Sequence, residues 1–343
     1  MLPATDSLSS EVCPRKVRAI IRCLGALVFL FNLPGVARPR EVAASEVRPV
    51  DPYKISVNVS SVVLHATVQN HNGTPVSGLG KDDFQIYEDG ALQQIEFYSH
   101  EDIPVTVGLV LDNSGSMGPK RDEVIAAAMA FARSSNPQDQ MFVVNFNEFV
   151  SFGLPINTPF TDQTAQLQVA LSRFNANGET ALYDALAVAL EHLKKGNRDK
   201  KVLIVVSDGG DNASKYKLAQ ILSMAGQSDA IIYTIGIFTE EDPDQNPGAL
   251  RQLSKATGGE AFFPHTIPDV IPVCERIAHD IRNQYTIAYA PTNLKQDGVY
   301  RVIQVKANAT GHGRLSVRTR AGYYAPLKPP PSAPPAGSQS DRR

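Results

Sequence analysis

The hydrophobic positions of this chain change period twice. Between Tyr53 and Ser99 apolar and polar residues alternate: Ile55, Val57 and Val59, then the β-branched run Val62–Val68, then Phe84 with Ile86, then Ile95 with Phe97. A period of two sends successive side chains to opposite faces, so this stretch predicts half-buried β-strands. Asn70-His71-Asn72-Gly73 and Glu88-Asp89-Gly90 supply the turns. At Val105 the pattern shifts. Val105–Leu111, Val202–Val206 and Ala230–Ile237 are nearly unbroken apolar runs, as expected of parallel strands covered on both faces. Residues 140–146 and 150–154 read as two strands in succession. Helical spacing appears in Val124, Ala128 and Phe131 within 121–134, and in Leu182, Ala185, Leu186, Ala189, Leu190 and Leu193 within 181–194. Two more helices are predicted over 249–257 and 268–282. After Asn283 the alternation returns in Tyr285, Ile287 and Tyr289, then over 299–306 and 315–320.

Strands and helices that alternate over residues 103–283 predict an α/β domain with a doubly wound, mostly parallel sheet. The β flanks, 52–100 and 284–325, each have too few strands to bury a stable core, but together they offer about six. They are therefore expected to pair into one small sandwich-like domain, into which the α/β domain is inserted. Residues 38–51 read as a linker. Residues 326–343, with Pro329-Pro330-Pro331 and Pro334-Pro335, are too polar and Pro-rich to pack.

Composition narrows the setting. A chain of 343 residues with 43% hydrophobic and 20% charged positions is globular and long enough for more than one core. Its net charge of −2 offers no electrostatic footprint for nucleic acid. Residues 1–37 have the order of an export signal: Arg15, Lys16, Arg18 and Arg22, the apolar run Cys23–Leu33, and the small residues of Pro34-Gly35-Val36-Ala37. A secreted or periplasmic protein is expected, attached to a membrane only if this segment stays uncleaved. Of the three cysteines, Cys13 and Cys23 fall in that segment. Cys274 shares a helical stripe with Ile267, Val270, Ile277 and Ile281 and is expected to be a buried, inert thiol.

The candidate chemistry lies in Asp112-Asn113-Ser114-Gly115-Ser116, directly after the first apolar strand. In open α/β sheets ligands bind beyond the carboxyl ends of the strands. Asp, Ser and Ser at alternate positions of a tight turn can aim one carboxylate and two hydroxyls at a single point. Hard cations take six or more oxygens and keep waters among them, so further donors are expected at the same edge. Asp208 follows the strand Val202–Val206, and Thr180, in Asn177-Gly178-Glu179-Thr180, leads into the helix at 181–194. Taken alone, Thr180 suits an N-cap equally well.

This constellation resembles the metal-ion-dependent adhesion site of the von Willebrand factor type A domain: D-x-S-x-S after a first strand, G-x-T before a helix, and D-G after a later strand. Residues 103–283 follow that domain in element order and spacing. The segments DFQIYEDG, EDIPVTVGLVLDNSGSM, QYTIAYAPTN and RTRAGYYAP extend the similarity to the VWFA-related family of acidobacterial proteins. The resemblance implies a Rossmann-like fold, hydroxyl ligands Ser114, Ser116 and Thr180, and carboxylates Asp112 and Asp208. It implies a divalent cation, Mg²⁺ ahead of Mn²⁺ or Ca²⁺ because the donors are hydroxyl-rich. It also implies a protein partner whose acidic residue completes the coordination, with no catalysis.

Two other readings are open on the sequence. In one, the cation only stiffens the loops and the β flanks carry the partner surface of an envelope scaffold. In the other, the protein is a metal-dependent hydrolase, with Glu179 and Asp211 as the acids nearest the metal loops. Against it, the seven histidines are scattered, and H-E-x-x-H, G-x-S-x-G and the phosphate-cradling G-x-x-x-x-G-K-[ST] are all absent.

Overall fold

The computed structural model describes residues 61–173, 176–238 and 244–327. The expected export signal, the linker, the strand around Ile55–Val59 and the tail from residue 328 lie outside the described residues. The first flank contributes β1 (Val62–Gln69), β2 (Phe84–Glu88), β3 (Ala91–Gln93) and β4 (Ile95–Ser99). The predicted turns form between them. Asn70 Oδ1 accepts the Asn72 and Thr74 N–H groups, and Asp89 and Gly90 both take positive φ in the β2–β3 hairpin.

The middle of the chain alternates as the apolar runs predict. In order come β5 (Val105–Asp112), α1 (Arg121–Ser134), β6 (Gln140–Phe146), β7 (Val150–Phe152), α2 (Thr164–Ser172) and α3 (Leu182–Leu193). Then follow β8 (Lys200–Ser207), α4 (Leu218–Gln227), β9 (Ala230–Gly236), α5 (Pro247–Thr257), β10 (Ala261–Phe262) and α6 (Val270–Arg282). Six strands make one sheet in the order β10-β9-β8-β5-β6-β7, parallel except for β7. The central strand β5 is buried along its whole length, which is why it lacks alternation. Gly108 lies in it because a Cβ there would stand 2.4 Å from the Phe142 ring and 2.6 Å from Leu203.

The second flank adds β11 (Tyr285–Tyr289), β12 (Tyr300–Ala307), β13 (Ser316–Arg318) and β14 (Gly322–Tyr324). The flanks do pair. β1 runs antiparallel to β11 and β13, and β2 runs antiparallel to β12. Two four-stranded sheets result, β13-β1-β11-β4 and β14-β12-β2-β3. Leu64, Tyr285 and Ile287 from the first share one core with Phe84, Ile86 and Ile303 from the second. The strand predicted over 315–320 is shortened to β13, with β14 following beyond it in the other sheet, and the strand expected over 150–154 ends at Phe152.

Polar side chains lock the flanks to the base of the α/β sheet. Arg318 of β13 bonds Asp280 Oδ2 of α6 at 3.0 Å and also pairs with Glu260. Gln284 Nε2 donates to Thr67 Oγ1 at 3.2 Å and Tyr233 Oη at 3.1 Å. Within the α/β domain, the Lys200 ammonium, buried at the start of β8, donates to the Ile281 carbonyl of α6. Cys274 is buried on α6, and burial pushes its thiol up to about 12, as its hydrophobic stripe implies. Among the described residues no helix is long and apolar enough to cross a membrane.

Candidate metal centre

The carboxyl ends of β5 and β8 lie side by side in parallel register, which brings the loops after Asp112 and Ser207 together. Asp112, Ser114, Asp208 and Thr180 are all buried, and Ser116 is half-buried. Asp112 Oδ1 accepts the Ser114 N–H at 2.8 Å, which folds the loop back over the carboxylate. Ser114 Oγ and Ser116 Oγ stand 3.2 Å apart, and Ser116 Oγ donates to Asp208 Oδ2 at 2.6 Å. Asp208 Oδ1 takes the Gly210 N–H at 2.9 Å. Gly209 permits this turn: its φ is +81°, and a Cβ would meet the Asn246 carbonyl oxygen at 2.4 Å.

Thr180 joins differently. The loop that carries it is stitched to the first by Gly115 N–H to the Gly178 carbonyl, 3.1 Å, and Asn177 N–H to the Asn113 carbonyl, 2.9 Å. Its own N–H donates to Asn212 Oδ1, and its carbonyl accepts from Asn212 and Ala213. The capping role open to it on the sequence is not taken: α3 is capped at Ala181, without a side-chain bond. Among the described residues the Thr180 hydroxyl makes no hydrogen bond to the other four side chains. The structure therefore links Asp112, Ser114, Ser116 and Asp208 directly, and places Thr180 beside them through its loop.

One contributor escaped the sequence reading. Ser207, fully buried, donates its hydroxyl to Asp112 Oδ2 at 2.6 Å and accepts the Gly209 N–H at 3.0 Å. Its signal was its place directly before Asp208 at the end of an apolar strand, where a polar residue needs a partner. Asp211, by contrast, serves the helix: it accepts the Tyr183 N–H of α3 at 3.1 Å and the Ser214 hydroxyl at 2.5 Å. Glu179 is exposed, and its N–H bonds the Glu148 carboxylate.

The electrostatics suit a cation. Burial, followed by the neighbouring Asp208, raises Asp112 from the ordinary carboxylate range to about 6, against the opposing hydrogen bonds from Ser114 and Ser207. Two buried carboxylates within reach of each other are costly unless positive charge joins them. Among the described residues no three His, Cys, Asp or Glu side chains converge on one point. The donors here are instead two carboxylates and hydroxyls, hard oxygens of the kind Mg²⁺ accepts.

A family profile for the von Willebrand factor type A domain matches residues 107–210, the segment that holds all five side chains. These residues form a von Willebrand factor type A domain. Two curated relatives are similar to this chain, both described as uncharacterized proteins. One, from Synechocystis, is 28% identical over 127 residues, 35% of this chain and 30% of its own length. The other, from Borreliella burgdorferi, is 29% identical over 140 residues, 39% of this chain and 41% of its own length. The chain thus spans less than half the length of either. Among solved structures, a von Willebrand factor type A protein from Catenulispora acidiphila is 16% identical with a TM-score of 0.48, over 78% of this chain and 75% of that one.

Proposed function

We propose that the protein is an exported binding module whose type A domain holds a divalent cation and, through it, a carboxylate of a protein partner. Asp112, Ser114, Ser116, Thr180 and Asp208 are its ligands in this reading. The observation that carries it is the paired burial of Asp112 and Asp208, linked through Ser116 at the open edge of the sheet. A bound cation supplies Lewis acidity and a replaceable water position. The protein's own part is to hold two carboxylates and three hydroxyls in place. Because hydroxyls are neutral donors, the ion keeps positive character toward an incoming acidic group. Mg²⁺ suits this hydroxyl-rich set ahead of Mn²⁺ or Ca²⁺. Residues 1–37 supply the export signal in this account.

Calorimetric titration of the metal-free protein with MgCl₂ and MnCl₂ tests the centre. Wild type is expected to bind one ion, and Asp112→Asn, which keeps the side-chain volume, none. At a hundredfold excess over Kd the ion should stabilise the fold by about 2.7 kcal/mol, read as a higher melting temperature absent from the variant. Equal melting temperatures with and without the ion would remove the proposal.

A second reading has its own observation. The outer face of the sheet β14-β12-β2-β3 exposes Leu92, Tyr300, Val302 and Tyr324, an apolar surface far larger than one isolated side chain. An envelope scaffold that binds through its flanks would use this face, and its binding would survive chelation.

A further inference from the structure

The hairpin between β6 and β7 puts an exposed aromatic ring beside the metal loop and holds it there. The Asn113 N–H donates to the Phe146 carbonyl at 2.6 Å, and the Ala181 N–H to the Asn147 carbonyl at 2.8 Å. Asn147 Nδ2 reaches both oxygens of Asn177 at 3.1 Å, and Asn147 Oδ1 accepts the Phe149 N–H at 2.9 Å. The hairpin tip is thereby tied to both loops that carry the candidate ligands. Yet Phe149 is 73% exposed. A large ring on a rigid mount loses little entropy when covered, which is how interface anchors work.

Phe149 is one wall of a cavity of about 310 Å³, lined also by Phe146, Ser151 and the amides Asn113, Asn147 and Asn177. Asn113 lies between Asp112 and Ser114 in sequence, so the cavity opens one residue from the candidate ligands. Two polar atoms on its lining residues have no partner among the described residues. Asn113, 5% exposed, gives Nδ2 to the Leu111 carbonyl and to Asn145 Oδ1, which leaves its Oδ1 as a free acceptor. Asn177 has its oxygens engaged and its Nδ2 free. An acceptor and a donor on one cavity lining match the N–H and C=O of a single residue in an extended chain, which point the same way.

We infer that the partner enters as an extended peptide, with an acidic residue at the cation and, two residues along, an apolar or aromatic side chain in the cavity against Phe149. Residues i and i+2 of an extended segment face the same way about 6.6 Å apart, and the N–H and C=O of the residue between them meet Asn113 Oδ1 and Asn177 Nδ2. The choice of occupant rests on charge complementarity between the carboxylate and the cation, so the inference depends on the metal reading above. It adds the determinant of specificity, which the cation alone does not provide.

The test uses the full chain loaded with Mg²⁺ and capped heptapeptides Gly-Gly-Asp-Gly-Phe-Gly-Gly, with counterparts carrying Asn for Asp or Ser for Phe. The Asp/Phe peptide is expected to bind, and the Ser counterpart about tenfold more weakly, or roughly 1.4 kcal/mol. The Asn counterpart, or added chelator, should abolish binding. Phe149→Ser is expected to bring the Asp/Phe peptide down to the level of the Ser counterpart and leave the Mg²⁺ affinity unchanged. Equal affinities for the Phe and Ser peptides, indifference to Phe149→Ser, or no peptide binding by the Mg²⁺-loaded protein would overturn this inference and leave the metal reading standing. Phe-dependent binding that persists in chelator would also overturn it, since the cavity would then act without the cation. Absence of Mg²⁺ binding in the calorimeter defeats the metal reading itself and this inference with it.

Discussion

Ser207 gives its hydroxyl to the buried carboxylate of Asp112, and its removal tests how far Asp112 depends on protein hydrogen bonds. Ser207→Ala is expected to lower stability by about 1.5–3 kcal/mol, the range for a bond to a charged group, measured by urea denaturation of the metal-free protein. An effect below about 0.5 kcal/mol would show that solvent replaces the bond. At this scale the sequence was partly legible. Asp112, Ser114, Ser116 and Asp208 were expected near the ends of two apolar strands, and they lie at the end of β5 and in the loops that follow β5 and β8. The Thr180 hydroxyl was expected to join them, but its loop meets theirs through backbone bonds, which side-chain pattern does not encode. The free amide atoms of Asn113 and Asn177 have no signature in the sequence and become visible only once the β6–β7 hairpin is in place.

At the scale of elements, the strands showed best where both faces are covered. β5, β8 and β9 are unbroken apolar runs in the sequence and central strands in the sheet. α2 and α4 were missed because each buries so little: Leu167, Ala170 and Leu171 in one, Ile221 and Ala225 in the other, too few to set a helical period. Lys200 marks the opposite case, a charge at the mouth of an apolar strand. Burial pushes its ammonium down to about 7, although Asp102, Asp139 and Asp280 pull the other way. The unfolded lysine titrates near 10.4, so between these values the unfolded chain binds a proton the folded one lacks. Stability should therefore rise with pH from about 7 to about 10. Lys200→Met is expected to remove at least about 1.4 kcal/mol of that rise, seen as a flatter dependence of the denaturation midpoint on pH. Parallel curves for the two proteins would mean that the ammonium stays charged.

At the scale of the molecule, the pairing of the two flanks was inferred from strand supply alone. The structure meets that need with eight described strands where about six were expected. The extra pieces, β3 and β14, have three residues each, shorter than the runs from which alternation can be read. The clamp at Arg318 was invisible, since an arginine in an edge strand reads as solvated. Its guanidinium is 20% exposed, and the Asp280 side chain it meets is fully buried. Arg318→Met should cost roughly 3 kcal/mol, because it leaves a buried carboxylate unpaired. It should also uncouple the sandwich from the α/β sheet, so that calorimetry resolves two transitions where wild type shows one. A single transition in the variant would mean that Gln284, bonded to Thr67 and Tyr233, holds the joint without Arg318.

The pairing of β1 with β11 also fixes an order of events as the chain is made. His65 and Thr286, bonded across that pair, are 221 residues apart. At ribosomal rates the earlier strand spends roughly 10–40 s without its mate. The intervening α/β sheet, whose strands are mostly neighbours in sequence, can close during that interval. The first flank then remains an open edge, exposed to aggregation, until β11–β14, residues 285–324, arrive to cover it.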